Sequence, residues 1–172
     1  MVNEGRLILN DNASIVISIV LTANVLGCEV PAPSFQGAHR DAIRDSVGAA
    51  MTQFARYSSA AQWDSLAELY SASTAFRFLE SGVIQYRSQQ SVRAGLDDLP
   101  PGMNLTTTYQ ELEIDPVAPG VAMVTGLFTT TLADSTGFRF GFEGALSLLW
   151  THEADGWRIR SGHSSALVPR EQ

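Results

Sequence analysis

His163 is the first residue to test for chemistry. It stands in an alternating run, Trp157-Arg158-Ile159-Arg160-Ser161-Gly162-His163-Ser164-Ser165. In a strand every second side chain shares a face. Trp157, Ile159, Ser161, His163 and Ser165 form one set, and its large apolar members predict that it faces the interior. An inward imidazole, titrating near neutral pH, is a candidate acid, base or ligand anchor. The plainer reading is a core histidine held by a hydrogen bond. The preceding run, 138–152, offers Glu143 and Ser147 on a mixed face with Ala145 and Leu149. The opposite face carries Phe138, Phe140, Phe142, Leu146, Leu148 and Trp150. Periodicity alone does not say which face meets a cavity. An outward aromatic face would be an apolar patch of the kind that joins two copies sheet to sheet. In that case Glu143 and Ser147 line the cavity. Reversed, Glu143 is merely solvated.

Tyr57 adds a phenol that could donate to a ligand carbonyl. Phe54, Trp63, Phe78 and Tyr86 are further candidates for a ligand wall, although such aromatics, like Tyr70, Phe76 and Tyr109, serve first as core. Other motifs fail on inspection. Gly162-His163-Ser164-Ser165-Ala166 lacks the last glycine of a nucleophile elbow, and the seven residues after Ser165 leave no room for the helix it needs. His39, His152 and His163 lack metal-ligand spacing, and no cysteine or carboxylate cluster joins them. Neither a phosphate loop nor a dinucleotide fingerprint is present. No metal or cofactor is therefore expected.

The elements that must position these residues follow from the hydrophobic period. Ile43, Val47, Ala50, Met51, Phe54 and Tyr57 recur at steps of three and four, which predicts one long amphipathic helix from His39 to Ala60. A short helix follows over Asp64–Tyr70, with Asp64 as its N-cap. Residues 74–79 and 83–86 read as a hairpin about Glu80-Ser81-Gly82. Ser88 can cap a third helix to about Leu96, stopped by Pro100-Pro101-Gly102. The remainder alternates as strands over 103–114, 121–132, 138–152 and 157–167. The turns between them include Asp115–Gly120 and Asp155-Gly156. Helices first and an antiparallel meander last make an α+β domain, its curved sheet covered on one face by three N-terminal helices.

Composition narrows the partners. The chain of 172 residues is 45% apolar and 17% charged, with a net charge of −7. Such an acidic balance, without a basic cluster, argues against nucleic acid. Cys28 is the single cysteine, so the chain forms no internal disulfide. Residues 13–26 form an uncharged, mostly apolar run, too short for the roughly 20 residues that span a bilayer. They match the middle of a secretory signal. Val25-Leu26-Gly27-Cys28 resembles a bacterial lipobox, which implies cleavage before Cys28 and lipidation of its thiol. Residues 1–27 are then a signal-like segment, 28–38 a tether and 39–168 the domain. The expected location is the cell envelope, as an exported lipoprotein held to the membrane by its lipid, with secreted or cytoplasmic forms as alternatives.

The order of elements, with the stretches QWDSLAELYSASTAF and ADGWRIRSGHSS, resembles the nuclear transport factor 2-like superfamily. Within it the chain is most similar to SnoaL-like and ketosteroid-isomerase-like domains. The resemblance implies a cone-shaped half-barrel with a deep pocket, often dimeric. Family members are isomerases, dehydratases, cyclases or binders without catalysis. In the isomerase pattern a first-helix tyrosine, here Tyr57, accompanies an early-strand acid and a late-strand acid. The early position falls near Phe78 and Leu79, with Glu80 close by, and the late one near Ser147. The expected function is thus an exported binding domain for a small apolar or carbonyl-bearing ligand, lacking a complete catalytic set. The alternative is an isomerase, cyclase or dehydratase with His163 as base, Tyr57 stabilising an oxyanion and Glu143 orienting. A dimerisation or accessory module is a third reading.

Overall fold

The computed structural model describes residues 35–167. The signal-like segment, Cys28 and most of the tether lie outside the described residues. Among the described residues no helix is long and apolar enough to cross a membrane.

The first helix, α1, runs Ala38–Ser59 and buries Ile43, Val47, Ala50, Met51 and Ser58. The stripe read from the sequence is therefore real, but it ends on Ser58. Four residues on a helix return to within roughly 40° of the start, closer than three residues do. Ser58 consequently follows Met51 and Phe54 into the interior, and Tyr57 turns to the flank. There the Arg56 guanidinium lies 5.1 Å from the Tyr57 ring centre.

The second helix, α2, is a single short stretch, Trp63–Ala67. Gln62 occupies the capping position without a side-chain bond, so Asp64 is not the cap. Instead Asp64 and Glu68 receive Arg93 from the third helix, α3, Gln89–Asp97. Ser88 caps α3 as expected, in a reciprocal box with Ser91.

Six strands form one curved, unclosed sheet in the order β2-β1-β6-β5-β4-β3. They are β1 Arg77–Glu80, β2 Val83–Tyr86, β3 Asn104–Ala118, β4 Val121–Ala133, β5 Arg139–Glu153 and β6 Gly156–Ala166. The β1–β2 hairpin turns at Ser81 and Gly82, both at positive φ. Asp115 and Pro116 belong to β3 rather than to a turn, which contracts to Pro119-Gly120. The sheet is mixed, not wholly antiparallel. β1 pairs with β6 in parallel, Phe78 opposite Gly162 and Leu79 opposite His163. A hairpin inserted between helices α2 and α3 meets the last strand only by crossing over, and alternation carries no information about that pairing.

Two bulges decide which residues face the helices. In β3 an extra residue lies between Gln110 and Glu113, with Glu111 at φ 49°. In β6, Ser161 pairs with Leu149 and Ile159 with Trp150, so Arg160 is the extra residue. Each bulge reverses the alternation along its strand. Beyond Arg160, Gly162 is buried while His163 is exposed. The β6 bulge is pinned from the helical side: Ile159 N–H donates to the Leu69 carbonyl at 2.7 Å, and Ser71 N–H donates to the Ile159 carbonyl at 2.9 Å.

The core lies between α1 and the concave face of the sheet. Val47, Met51, Phe76, Val124, Trp150 and Ile159 are at its centre. Trp150 is completely buried.

Candidate functional site

A cavity of about 190 Å³ continues from this core toward the open end of the cone. α1 supplies Phe54 and Ser58 to its wall, and α2 and α3 supply Leu66, Val92 and Leu96. The hairpin adds Phe78, Glu80 and Tyr86. From β3 come Leu105, Thr107 and Tyr109, and from β4 Phe128 and Thr130. β5 contributes Phe142, Leu146 and Leu148, and β6 contributes Ile159 and Ser164. The aromatic face of β5 thus turns inward. At one end of that face Phe138 and Phe140 are exposed, and Phe140 lines a second pocket, of about 630 Å³, with Phe142, Glu143 and Leu167.

The aromatic rings form a continuous belt. Phe54 meets Tyr70 at 6.0 Å between ring centres, Tyr70 meets Phe78 at 5.9 Å, and Phe78 meets Tyr86 at 6.3 Å. The first two contacts are edge-to-face, the arrangement ring quadrupoles favour. Tyr70 is placed by the short parallel bridge it makes to Ile159. Phe78 is placed by glycine: a Cβ at Gly162 would come within 2.6 Å of its ring and 2.8 Å of Leu148. Gly95 of α3 makes room in the same way for the Tyr86 hydroxyl, which would lie 2.7 Å from a Cβ there.

Burial, reinforced by the neighbouring Tyr109 and Tyr86 phenols and the Glu80 carboxylate, holds the Tyr70 phenol far above the usual tyrosine range. Burial alone does the same for Tyr109. Both hydroxyls are therefore neutral donors at physiological pH. Thr107 and Thr130 share a 2.9 Å hydrogen bond across β3 and β4. Glu80 is exposed at the cavity rim.

Of the residues singled out in the sequence, Phe54, Phe78 and Tyr86 lie on this wall. His163, Ser147, Glu143, Tyr57 and Trp63 do not. His163 and Ser147 are cross-strand partners on the outer face, both exposed, because the β6 bulge reverses the alternation before His163. Glu143 is exposed on the same outer face of β5, the solvated alternative for that residue. Tyr57 flanks α1, and Trp63 is half-buried at the start of α2. The set His163, Tyr57 and Glu143 is not brought together on the cavity. Phe142, Leu146, Leu148 and Trp150 turn inward, so the outer face of β5 is the mixed one. The outer face presents Met123 and Leu127, each partly exposed.

Sequence reasoning passed over Tyr70 and Tyr109 as core and left Glu80 in a turn. The available signal was composition: three tyrosines and an acid surround the two short strands and the first long one. Among the described residues no group of three metal-ligating side chains is assembled.

Several solved structures share this architecture. A nuclear transport factor 2-like superfamily protein from Salmonella enterica serovar Typhimurium is 14% identical, with a TM-score of 0.64 over 76% of this chain and 95% of its own. A protein of unknown function with the same kind of fold, from Shewanella oneidensis, is 20% identical, with a TM-score of 0.60 over 72% and 98%. A protein provisionally described as a dehydratase of that family, from Streptomyces avermitilis, is 16% identical, with a TM-score of 0.64 over 76% and 99%. At these identities the likeness is one of fold. No curated protein matches the chain. The model of the SnoaL-like domain matches residues 47–169, which include every strand and every residue named on the cavity wall. The chain therefore belongs to the SnoaL-like family, within the nuclear transport factor 2-like superfamily.

Proposed function

We propose that the domain binds a small, largely apolar molecule within the cone. The observation that supports this reading most is the cavity itself, about 190 Å³ between sheet and helices, walled by aromatic and aliphatic side chains with a few hydroxyls. A concave, mostly apolar site with a handful of polar groups is the usual form of a small-molecule pocket. Neutral phenols at Tyr70 and Tyr109 suit a carbonyl or ether acceptor on the ligand. Cyclohexanone and acetophenone are suitable probes, followed by ligand-observed NMR and thermal shift. Leu146→Trp, which places an indole in the cavity, is expected to abolish their binding, whereas His163→Ala leaves it unchanged. Equal binding by Leu146→Trp and wild type would remove the cone as the site.

A second reading, proton transfer of the isomerase or dehydratase kind, draws on one further observation. Glu80 is the sole carboxylate among the described residues on the wall, and its charge acts on the Tyr70 phenol. A carboxylate base beside a neutral phenol donor is the pairing that enolisation requires. In this reading Glu80 takes the place first considered for His163. It predicts that the protein accelerates exchange of the α-hydrogens of cyclohexanone in deuterium oxide and that Glu80→Gln abolishes the acceleration. Exchange at the buffer rate in wild type rejects it.

A further inference from the structure

We infer that the preferred occupant of the cone is an organic cation, a tertiary or quaternary ammonium group seated against the aromatic belt beside Glu80. The inference rests on the binding reading above and adds the charge class of the ligand.

Three observations lead to it. First, among the described residues on the wall no arginine or histidine is present, and the one group charged at neutral pH is the Glu80 carboxylate. The chain contains no lysine; all eleven of its Lys+Arg residues are arginine. Second, Glu80 makes no salt bridge among the described residues, and two arginines of the neighbouring elements are engaged with other groups. Arg77 donates to the carbonyls of Thr74 at 3.1 Å and Arg87 at 3.3 Å. Arg93 is held by Asp64 and Glu68. Third, the remaining wall is rich in π faces. Phe54, Tyr70, Phe78 and Tyr86 form the belt, and Tyr109 and Phe128 stand across from it on β3 and β4.

A cation attracted by ring quadrupoles and one carboxylate gains from both, and it need not displace a competing positive group. A carboxylate or phosphate ligand meets the opposite: no cation on the wall and an acid at the rim. The chain's net charge of −7 adds a long-range field of the same sign. A neutral apolar molecule fits the cavity, but it gains nothing from the Glu80 carboxylate at the rim.

Three molecules of nearly equal shape separate the cases: choline, its uncharged isostere 3,3-dimethylbutan-1-ol, and the anion 3,3-dimethylbutanoate. In calorimetric titrations of the full chain, choline is expected to bind about tenfold more tightly than the alcohol, with the anion weakest. Glu80→Gln is expected to weaken choline by about tenfold and to leave the alcohol unchanged. Equal binding of choline and alcohol, or a preference unchanged in Glu80→Gln, overturns the inference. If cyclohexanone binds and choline does not, the inference fails while the binding reading stands. If neither binds, both fall.

Discussion

Trp150→Ala is expected to destabilise the domain by about 3–5 kcal/mol, the usual range for removing a large aromatic side chain from a core. Trp150 is completely buried on the concave face, where it pairs with Ala122 and Ile159 and packs in the same cluster as Val47 and Met51. The two small or aliphatic strand neighbours offer nothing that can expand into the space. Trp150→Phe makes an informative contrast. The indole Nε1 is buried and has no hydrogen-bond partner among the described residues. A buried donor left unmade costs about 1–3 kcal/mol. Phenylalanine removes that donor along with part of the ring, so the two losses act in opposite directions. Urea midpoints at constant slope measure both variants. The alanine variant should show a large drop, and the phenylalanine variant a drop of less than half that size. Equal drops would show that the indole N–H is satisfied in solution.

The second large effect is expected at a residue with no side chain. Gly144 pairs with Phe128 on one side and Ala166 on the other. A Cβ there would overlap the Ser165 carbonyl oxygen and lie 2.7 Å from the Phe128 ring. The ring could rotate, but the carbonyl is main chain and moves only if β5 and β6 separate. Gly144→Ala is therefore expected to cost about 3 kcal/mol, the upper part of the range for overpacking. The same change would loosen Phe128, and so widen the cavity at that end. Gly141, three residues earlier, is the control: its nearest atoms to an added Cβ are 3.8 Å away. Gly141→Ala should leave the thermal midpoint within a degree or two of wild type. Comparable losses at both positions would mean that the strand itself, not the local overlap, resists alanine.

The periodic signals in the sequence carried most of the architecture. The stripe from Ile43 to Phe54, the Ser88 cap, the Ser81-Gly82 turn and the four long strands all depend on local chemistry, and local chemistry is what a sequence displays. The parallel pairing of β1 with β6 depends on residues more than eighty apart, and no local pattern encodes it. The site was less legible for a sharper reason. Assigning His163 to the interior required the alternation from Trp157 and Ile159 to continue unbroken. The bulge at Arg160 interrupts it, and Arg160 is no different in type from Arg158. What fixes the bulge is the tie from Leu69 and Ser71 to Ile159, a tertiary contact. Tyr57 and Ser58 show the same limit on a helix: both are compatible with the stripe, and only packing against the sheet selects Ser58. Phe54 reached the cavity wall on the regular helical stripe, and Phe78 and Tyr86 reached it as the paired aromatics of the short hairpin.

The two bulges have a bearing on how such a chain can vary in length. Mid-strand, each of β3 and β6 holds one residue more than its neighbour's ladder uses, absorbed beside Glu111 and at Arg160; β3 holds another near its end, between Pro116 and Ala118. Removing a surplus residue would restore plain alternation without exchanging the faces on either side of it. Gly162 and Ser164 would still look into the cone, and His163 would still look out. A one-residue deletion at these points is thus mechanically silent for the cavity. Where the ladder of the same strands is regular it would turn the wall inside out. The lining is buffered against length change at two addresses, and both lie on strands that contribute to the wall.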